Sequence, residues 1–145
     1  MIYFAYGSNM DAEQMRIRCP GYRLLGVACL ANYTLAFTRW SRAWNSGTAD
    51  ILPEKGKRVV GALYDLTFDD LKRMDRIADY PNSYIRLDVV VESGGETLSA
   101  MTYVAVRTGV FLPSRPYLDK MIHGAERCQI DAAYIADLRA LRTSP

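Results

Sequence analysis

The stretch from Tyr84 to Val106 constrains the fold most strongly, because it predicts two strands joined by a tight turn. Apolar side chains alternate with polar ones along its first half, at Ile85, Leu87, Val89 and Val91. Gly94 and Gly95 then separate this half from a second strand over Leu98 to Val106. Glycine adopts the positive φ angles that a two-residue hairpin turn requires. The pattern therefore predicts a β-hairpin and an antiparallel sheet.

Other strands are predicted in the first half of the chain. Ile2 to Ala5 is a short apolar run, and residues 22 to 38 favour two strands that break near Ala31 and Asn32. A polar loop is predicted from Arg39 to Gly47. Two more strands are predicted at Thr48–Leu52 and Arg58–Leu66, with a turn at Pro53–Gly56 between them.

Four short helices are predicted from residues that commonly cap helix ends. The first covers Asp11 to Arg18, with Asn9 or Asp11 as its N-cap. The second and third cover Thr67 to about Ala78 and Ser114 to Arg127. The last is capped by Asp131 and has Ile135, Leu138 and Leu141 on one face. Six or seven strands with few strand-helix alternations favour an α+β fold with a small, mixed, barrel-like sheet flanked by short helices. We expect one domain over residues 1–145.

The composition narrows the classes of partner. Charged residues make up 23% of the chain, the net charge is only +2, and the arginines are scattered, so no nucleic-acid partner is expected. The three cysteines lack the spacing of a disulfide framework or a zinc site, so no metal is expected. No apolar stretch approaches about 20 residues and no signal peptide is apparent, which predicts a cytoplasmic protein with no membrane partner.

Tyr6-Gly7-Ser8-Asn9 follows the first strand directly and indicates a binding loop. Glycine allows a close approach of the backbone, and a following helix would offer unpaired N–H groups to a carboxylate or an oxyanion. The alternative is a plain turn with a helix cap. The loop lacks the glycine-rich patterns of nucleotide sites. A nucleophilic role for Ser8 needs a base, and the single histidine, His123, is predicted within a helix.

An ordered set of motifs resembles the γ-glutamylcyclotransferase family, which includes AIG2-like and BtrG-like proteins. The motifs extend over nearly the whole chain, at Tyr6–Met10, Gly47–Ile51, Val60–Tyr64, Met74–Pro81 with Tyr84, and Pro113–Tyr117 leading to Gly124 and Ala125. The resemblance implies a small mixed β-barrel that binds a γ-glutamyl amine or peptide. It implies substrate-binding roles for Tyr6, Gly7, Ser8, Asn9, Met10, Tyr84 and Tyr117.

The resemblance also implies a reaction that needs no metal or cofactor. The α-amine of the γ-glutamyl group attacks its own γ-carbonyl, which closes 5-oxoproline and releases an amine or amino acid. Because the attacking and attacked atoms are already tethered, the protein has to fold the substrate, remove a proton and stabilise the oxyanion. A glutamate removes the proton in the family.

Position 78 departs from the family pattern, which resembles Leu-Asp-x-x-Glu-Gly-Tyr-Pro. Aligning Asp75 and Tyr80–Pro81 places Ala78 at the glutamate and Asp79 at the glycine. Three interpretations stay open: Asp79 supplies the carboxylate, the domain is a native binding or sensing module, or Ala78 is a deliberate replacement of a glutamate. The leaving group and the oligomeric state also stay open.

Three arginines are further candidates for binding a substrate carboxylate, namely Arg39, Arg42 and Arg86. An ordinary exposed arginine is the alternative for each of them, and we leave them outside the predicted site.

Overall fold

Five strands and four α-helices make up the computed structural model, which describes residues 1–145. The strands are β1 (Ile2–Ala5), β2 (Arg23–Ser41), β3 (Ser46–Asp65), β4 (Tyr84–Ser93) and β5 (Glu96–Ala105). The helices are α1 (Ala12–Arg18), α2 (Phe68–Ile77), α3 (Arg115–Arg127) and α4 (Ala132–Arg139), and a 3₁₀ turn covers Ser8–Met10. None of these helices combines the length and the hydropathy needed to cross a bilayer.

The strands close into a barrel in the order β1-β3-β2-β4-β5. The hairpins β2–β3 and β4–β5 are antiparallel, and β1 runs antiparallel to β3 and parallel to β5. Two of the joins are short, since β2 meets β4 at the pair Cys29–Glu92 and β1 meets β5 at the pair Tyr3–Met101. The expected α+β architecture, a small mixed barrel with flanking helices, is confirmed.

The predicted hairpin is confirmed, whereas the predicted number of strands is wrong. Gly94 and Gly95 join β4 to β5 with φ angles of 59° and 82°. We expected a break near Asn32 and a turn at residues 53–56. In the structure β2 and β3 pair continuously, and both features belong to one register shift between these strands. Asn32 has a φ of 65°, faces the extra residues of β3, and accepts a hydrogen bond from the Gly56 N–H at 3.1 Å. The polar loop shortens to residues 42–45.

The predicted helix caps are confirmed at all four helices. Side-chain oxygens of Asp11, Thr67, Ser114 and Asp131 each accept a hydrogen bond from a backbone N–H in the first turn. The end of the last helix differs, because α4 stops at Arg139 and leaves Leu141 beyond it.

Buried apolar side chains fill the barrel and the inner faces of the helices. Phe4 and Tyr64, from the paired strands β1 and β3, are both fully buried. Gly61 of β3 has no room for a side chain, because a Cβ there would overlap the Ala5 carbonyl. This packing holds β1 in place and therefore positions the segment that follows it.

Gly124 lies where α3 packs against the backbone after the 3₁₀ turn. A Cβ at position 124 would lie 2.5 Å from the carbonyl carbon of Met10 and 2.6 Å from the nitrogen of Asp11. We expect Gly124→Ala to lower the free energy of unfolding by about 1–3 kcal/mol through overpacking, although alanine is normally the better helix former. Chemical denaturation measures this change.

His123→Ala is the matched control for this variant, because His123 is the preceding residue of α3 and is exposed. We expect its unfolding free energy to stay within about 0.5 kcal/mol of the parent protein. A Gly124→Ala protein as stable as the parent would contradict the close packing of α3 on Met10.

Candidate functional site

A cavity of about 480 Å³ opens at one end of the barrel. β1, β2 and β5 end there, and β3 and β4 begin there, so five strands bring their connecting segments to the same place. The end of α2 and the start of α3 add Ala78 and Tyr117 to its lining. A cavity of this volume suits a small molecule.

The loop predicted to bind substrate lines this cavity. Tyr6, Gly7, Ser8 and Asn9 all contribute to its surface. At Gly7 a Cβ would lie 3.1 Å from the Cβ of Ala49, which is tighter than an ordinary contact, so glycine favours this close approach of the backbone to β3. The Gly7 N–H has no hydrogen-bond acceptor within the chain. It is therefore a free donor next to the cavity.

Hydrogen bonds fix the orientation of the two polar side chains in the loop. The Asn9 Nδ2 donates to the Tyr3 hydroxyl at 3.0 Å, and its Oδ1 accepts from Gln14 Nε2 and from an Arg18 guanidinium nitrogen, both at 2.9 Å. Gln14 Nε2 also donates to the Ser8 hydroxyl at 2.9 Å. Both polar groups are thus held in place before any ligand binds.

The helix predicted to follow the loop is set back from it by the 3₁₀ turn. The Asp11 carboxylate caps α1 by accepting from the Glu13 N–H at 3.4 Å. The donors nearest the loop are consequently single backbone and side-chain groups.

Met10, Arg86 and His123 lie outside the cavity. Met10 is the last residue of the 3₁₀ turn, and its side chain is fully buried in the core because α3 packs over it. Arg86 instead forms an ion pair with Asp75. His123 is exposed on α3, so Ser8 has no histidine beside it.

Tyrosine hydroxyls supply further fixed donors. The Tyr117 hydroxyl accepts from the Ala49 N–H at 3.0 Å, and the Tyr84 hydroxyl lies 2.6 Å from Thr48 Oγ1. Burial raises the pKa of both hydroxyls above the ordinary value, and it raises the pKa of Tyr3 to about 12. These groups therefore stay protonated at neutral pH and act as hydrogen-bond donors rather than as bases.

The two residues at the end of α2 both line the cavity. Ala78 is the C-cap of α2 and is half-buried, and its methyl group carries no ionisable atom. Asp79 adopts a φ of 49° and lies exposed at the rim, where its carboxylate accepts from the Ser83 hydroxyl at 2.7 Å and from Asn82 at 3.5 Å. These hydrogen bonds, the one from Ser83 first, lower the pKa of Asp79.

Three arginines line the cavity, and none of them forms an ion pair with a carboxylate. They are Arg18, Arg39 and Arg42, and Asp79 is the one acidic side chain beside them. The cavity consequently favours ligands that carry negative charge. Sequence reasoning missed Arg18. A usable signal was the polar pair Gln14 and Arg18, whose spacing places both over the loop that precedes α1.

Trp40, at the end of β2, and Trp44, in the connection to β3, also line the cavity and were not predicted as site residues. They fall in the segment predicted as a polar loop. Two tryptophans within such a segment were a signal of a binding surface, because exposed aromatic side chains are uncommon in ordinary turns.

No group of three or more histidine, cysteine, aspartate or glutamate side chains is arranged to hold a metal ion. What the cavity combines is a free backbone N–H, oriented amide and hydroxyl groups, and guanidinium groups. This set can hold a carboxylate and a polarised carbonyl oxygen.

Comparisons with known proteins agree with this architecture. A family model described as "Gamma-glutamyl cyclotransferase, AIG2-like" matches residues 3–119. The Homo sapiens protein named gamma-glutamylcyclotransferase is 26% identical over 146 residues, which cover 97% of this chain and 78% of that protein. A solved structure described as "Gamma-glutamyl cyclotransferase" gives a TM-score of 0.94 at 26% identity and covers 99% of this chain and 88% of the other.

A second solved structure extends the likeness in fold. YkqA from Bacillus subtilis gives a TM-score of 0.83 at 23% identity, covering 99% of this chain and 56% of the other. Because the family model spans most of the chain and the barrel matches, this chain belongs to the γ-glutamylcyclotransferase, AIG2-like family.

Proposed function

We propose that this protein binds γ-glutamyl amines or peptides, with the γ-glutamyl group held at Tyr6–Asn9. One observation carries the proposal: this loop, Ala78 and three arginines without carboxylate partners line the same cavity. A γ-glutamyl group offers an α-carboxylate for a guanidinium and a γ-carbonyl oxygen for N–H donors. The Gly7 N–H, which has no acceptor within the chain, supplies such a donor.

The reaction that this geometry supports is an intramolecular acyl transfer. The neutral α-amine attacks the γ-carbonyl carbon, a new C–N bond forms, and the original amide C–N bond breaks. The proton lost by the attacking nitrogen goes to the leaving amine, so 5-oxoproline and a free amine are the products. The protein contributes by holding the substrate with its amine close to the carbonyl carbon and by stabilising the oxyanion.

Ala78 cannot accept a proton, so the proposed reaction proceeds without a general base at this position. The substrate then reacts only from the fraction whose amine is already neutral, which is small at pH 7 because the neighbouring α-carboxylate makes this amine more basic than a peptide N-terminus. We propose that turnover is slow and that binding is the stronger property of this chain.

Calorimetry tests the binding proposal directly. We expect saturable binding of γ-glutamyl-glycine and much weaker binding of free glycine, because only the first carries the γ-glutamyl group. An Arg18→Gln variant should bind γ-glutamyl-glycine roughly tenfold more weakly through the loss of a charge-assisted contact. Equal affinities for the two ligands, or none for either, would rule the proposal out.

A non-enzymatic binding or sensing module is the second candidate function. Ala78 favours it, because the site retains donors and cations but has no proton acceptor with an ordinary pKa. The two candidates differ in the release of 5-oxoproline from a bound γ-glutamyl ligand, which mass spectrometry detects over a long incubation.

Asp79→Asn tests whether Asp79 replaces the family glutamate. Its lowered pKa makes it a weak proton acceptor, and its carboxylate is already engaged by Ser83. We expect the variant to change any residual 5-oxoproline release by less than about threefold, since a lost general base would cost far more. Asparagine also tolerates the positive φ at this position. A hundredfold drop, on the order of a lost base, would assign the role to Asp79.

A further inference from the structure

One side of the cavity is an apolar surface that the γ-glutamyl group does not explain. We call it the apolar wall and define it as Trp40, Ala43, Trp44, Ile77 and Ala78, all of which line the cavity. The first three come from β2 and its connection to β3, and the last two from the end of α2. The wall is therefore built from two separate elements that converge on the same space.

Neighbouring rings hold both tryptophans of the wall in place. The Trp40 ring lies 5.8 Å from the Phe111 ring, and the Trp44 ring lies 5.3 Å from the Tyr117 ring at an interplanar angle of 82°. Such aromatic pairs fix the orientation of a side chain. The tryptophans thus form a prepared surface.

Much of the wall remains in contact with water. Trp40 keeps 40% of its surface exposed and Ile77 keeps 45%. Large apolar surfaces that converge in a cavity gain free energy when a ligand covers them. The Ala78 methyl group adds to this apolar surface, whereas a glutamate at position 78 would place a charge within the wall.

The position of the wall identifies the part of the ligand that reaches it. Trp44 packs on Tyr117, whose hydroxyl lies close to Gly7 and bonds to Ala49. The wall therefore begins one aromatic ring away from the binding loop. A leaving group that extends from the loop past Tyr117 reaches this side of the cavity.

We propose that the site prefers γ-glutamyl compounds whose leaving group carries an aromatic side chain, an inference that rests on the proposed function. The ring of the leaving group packs against Trp40 and Trp44. Arg42, exposed at the same edge and without a carboxylate partner, suits the carboxylate of a leaving amino acid.

Calorimetric binding to the intact protein tests the preference without requiring turnover. The probes are γ-glutamyl-phenylalanine and γ-glutamyl-glycine. We expect the aromatic compound to bind about tenfold more tightly, as burial of a phenyl group against aromatic side chains predicts. γ-Glutamyl-phenylalanine amide, which lacks the leaving-group carboxylate, is expected to bind less tightly than the acid.

Trp40→Ala should reduce the tenfold preference to about twofold or less, because it removes a ring on which the aromatic leaving group packs. Phe68→Ala is the matched control, because Phe68 is an exposed aromatic residue that does not line the cavity. Circular dichroism checks that each variant is folded, and Trp40→Leu replaces Trp40→Ala if the latter unfolds.

The outcomes separate this inference from the proposed function. Tight binding of the aromatic compound that Trp40→Ala abolishes supports the aromatic preference. Equal affinities for the two γ-glutamyl compounds overturn the preference and leave the proposed function standing. Failure of both compounds to bind overturns the proposed function and the preference with it.

Discussion

Replacement of Ala78 by glutamate should raise the release of 5-oxoproline by about 10²- to 10⁴-fold, the range typical of a general base. Ala78 lines the cavity at the end of α2, so a longer side chain at this position reaches the ligand's space. A carboxylate there accepts the proton of the attacking ammonium. The gain should be largest below pH 8 or so, where most α-amines are protonated. Single-turnover assays with a γ-glutamyl substrate measure it.

Ala78→Gln is the matched control, because it has nearly the same shape as the glutamate variant but does not accept a proton at neutral pH. We expect its rate to stay near that of the parent protein. If Ala78→Glu binds γ-glutamyl ligands and still releases no product, the site is a binding module and the proposed cyclisation is wrong.

Arg107→Ala should lower the free energy of unfolding by about 3 kcal/mol, because it leaves a buried carboxylate without its cation. Asp50 is fully buried and accepts hydrogen bonds from Thr38 Oγ1 at 2.7 Å, the Ala105 N–H at 3.0 Å and Arg107 Nε at 3.0 Å. These contacts tie β3 to β2 and to the segment after β5. Loss of the guanidinium leaves the buried Asp50 charge with hydrogen bonds from Thr38 and Ala105 only. Urea denaturation measures the effect.

Arg115→Ala is the control for this prediction. Arg115 pairs with Asp119 at 3.5 Å, but both side chains are more than half exposed, so the expected loss is about 0–1 kcal/mol. Adding Asp50→Asn to Arg107→Ala should recover part of the stability, because it removes the buried charge. Equal losses for Arg107→Ala and Arg115→Ala would contradict a stabilising role for the contact between Arg107 and the buried Asp50 carboxylate.

Local signals in the sequence were sufficient for the hairpin and the helix caps. The alternation before Gly94 and the capping oxygens of Thr67 and Ser114 act over a few residues, and the structure confirms them. The number of strands depended on a feature that sequence patterns do not show. Asn32 adopts a left-handed conformation and alone faces four residues of β3, residues 54–57, so an expected turn became part of a continuous ladder.

The candidate site likewise contains residues that local sequence patterns did not predict. The loop at Tyr6–Asn9 and the aromatic positions Tyr84 and Tyr117 could be predicted from motifs, and the structure places all of them at one cavity. Arg18 and Trp44 enter this cavity only through tertiary packing, because α1 lies over the loop and the β2–β3 connection reaches Tyr117. Local patterns such as the Gln14–Arg18 spacing could mark these residues as candidates, but the cavity that they share depends on contacts between distant segments.

The short joins of the barrel have a consequence for the order of folding. Each hairpin forms from neighbouring residues, whereas β1 needs partners far along the chain, with Tyr3 pairing both Tyr64 and Met101. Because contacts between distant residues cost more loop entropy, we expect β1 to dock after both hairpins have formed. The segment that follows β1 then takes its final shape only when the barrel closes. A ligand held by that segment binds the closed barrel in preference to partly folded forms, so its binding free energy adds to the stability of the native state.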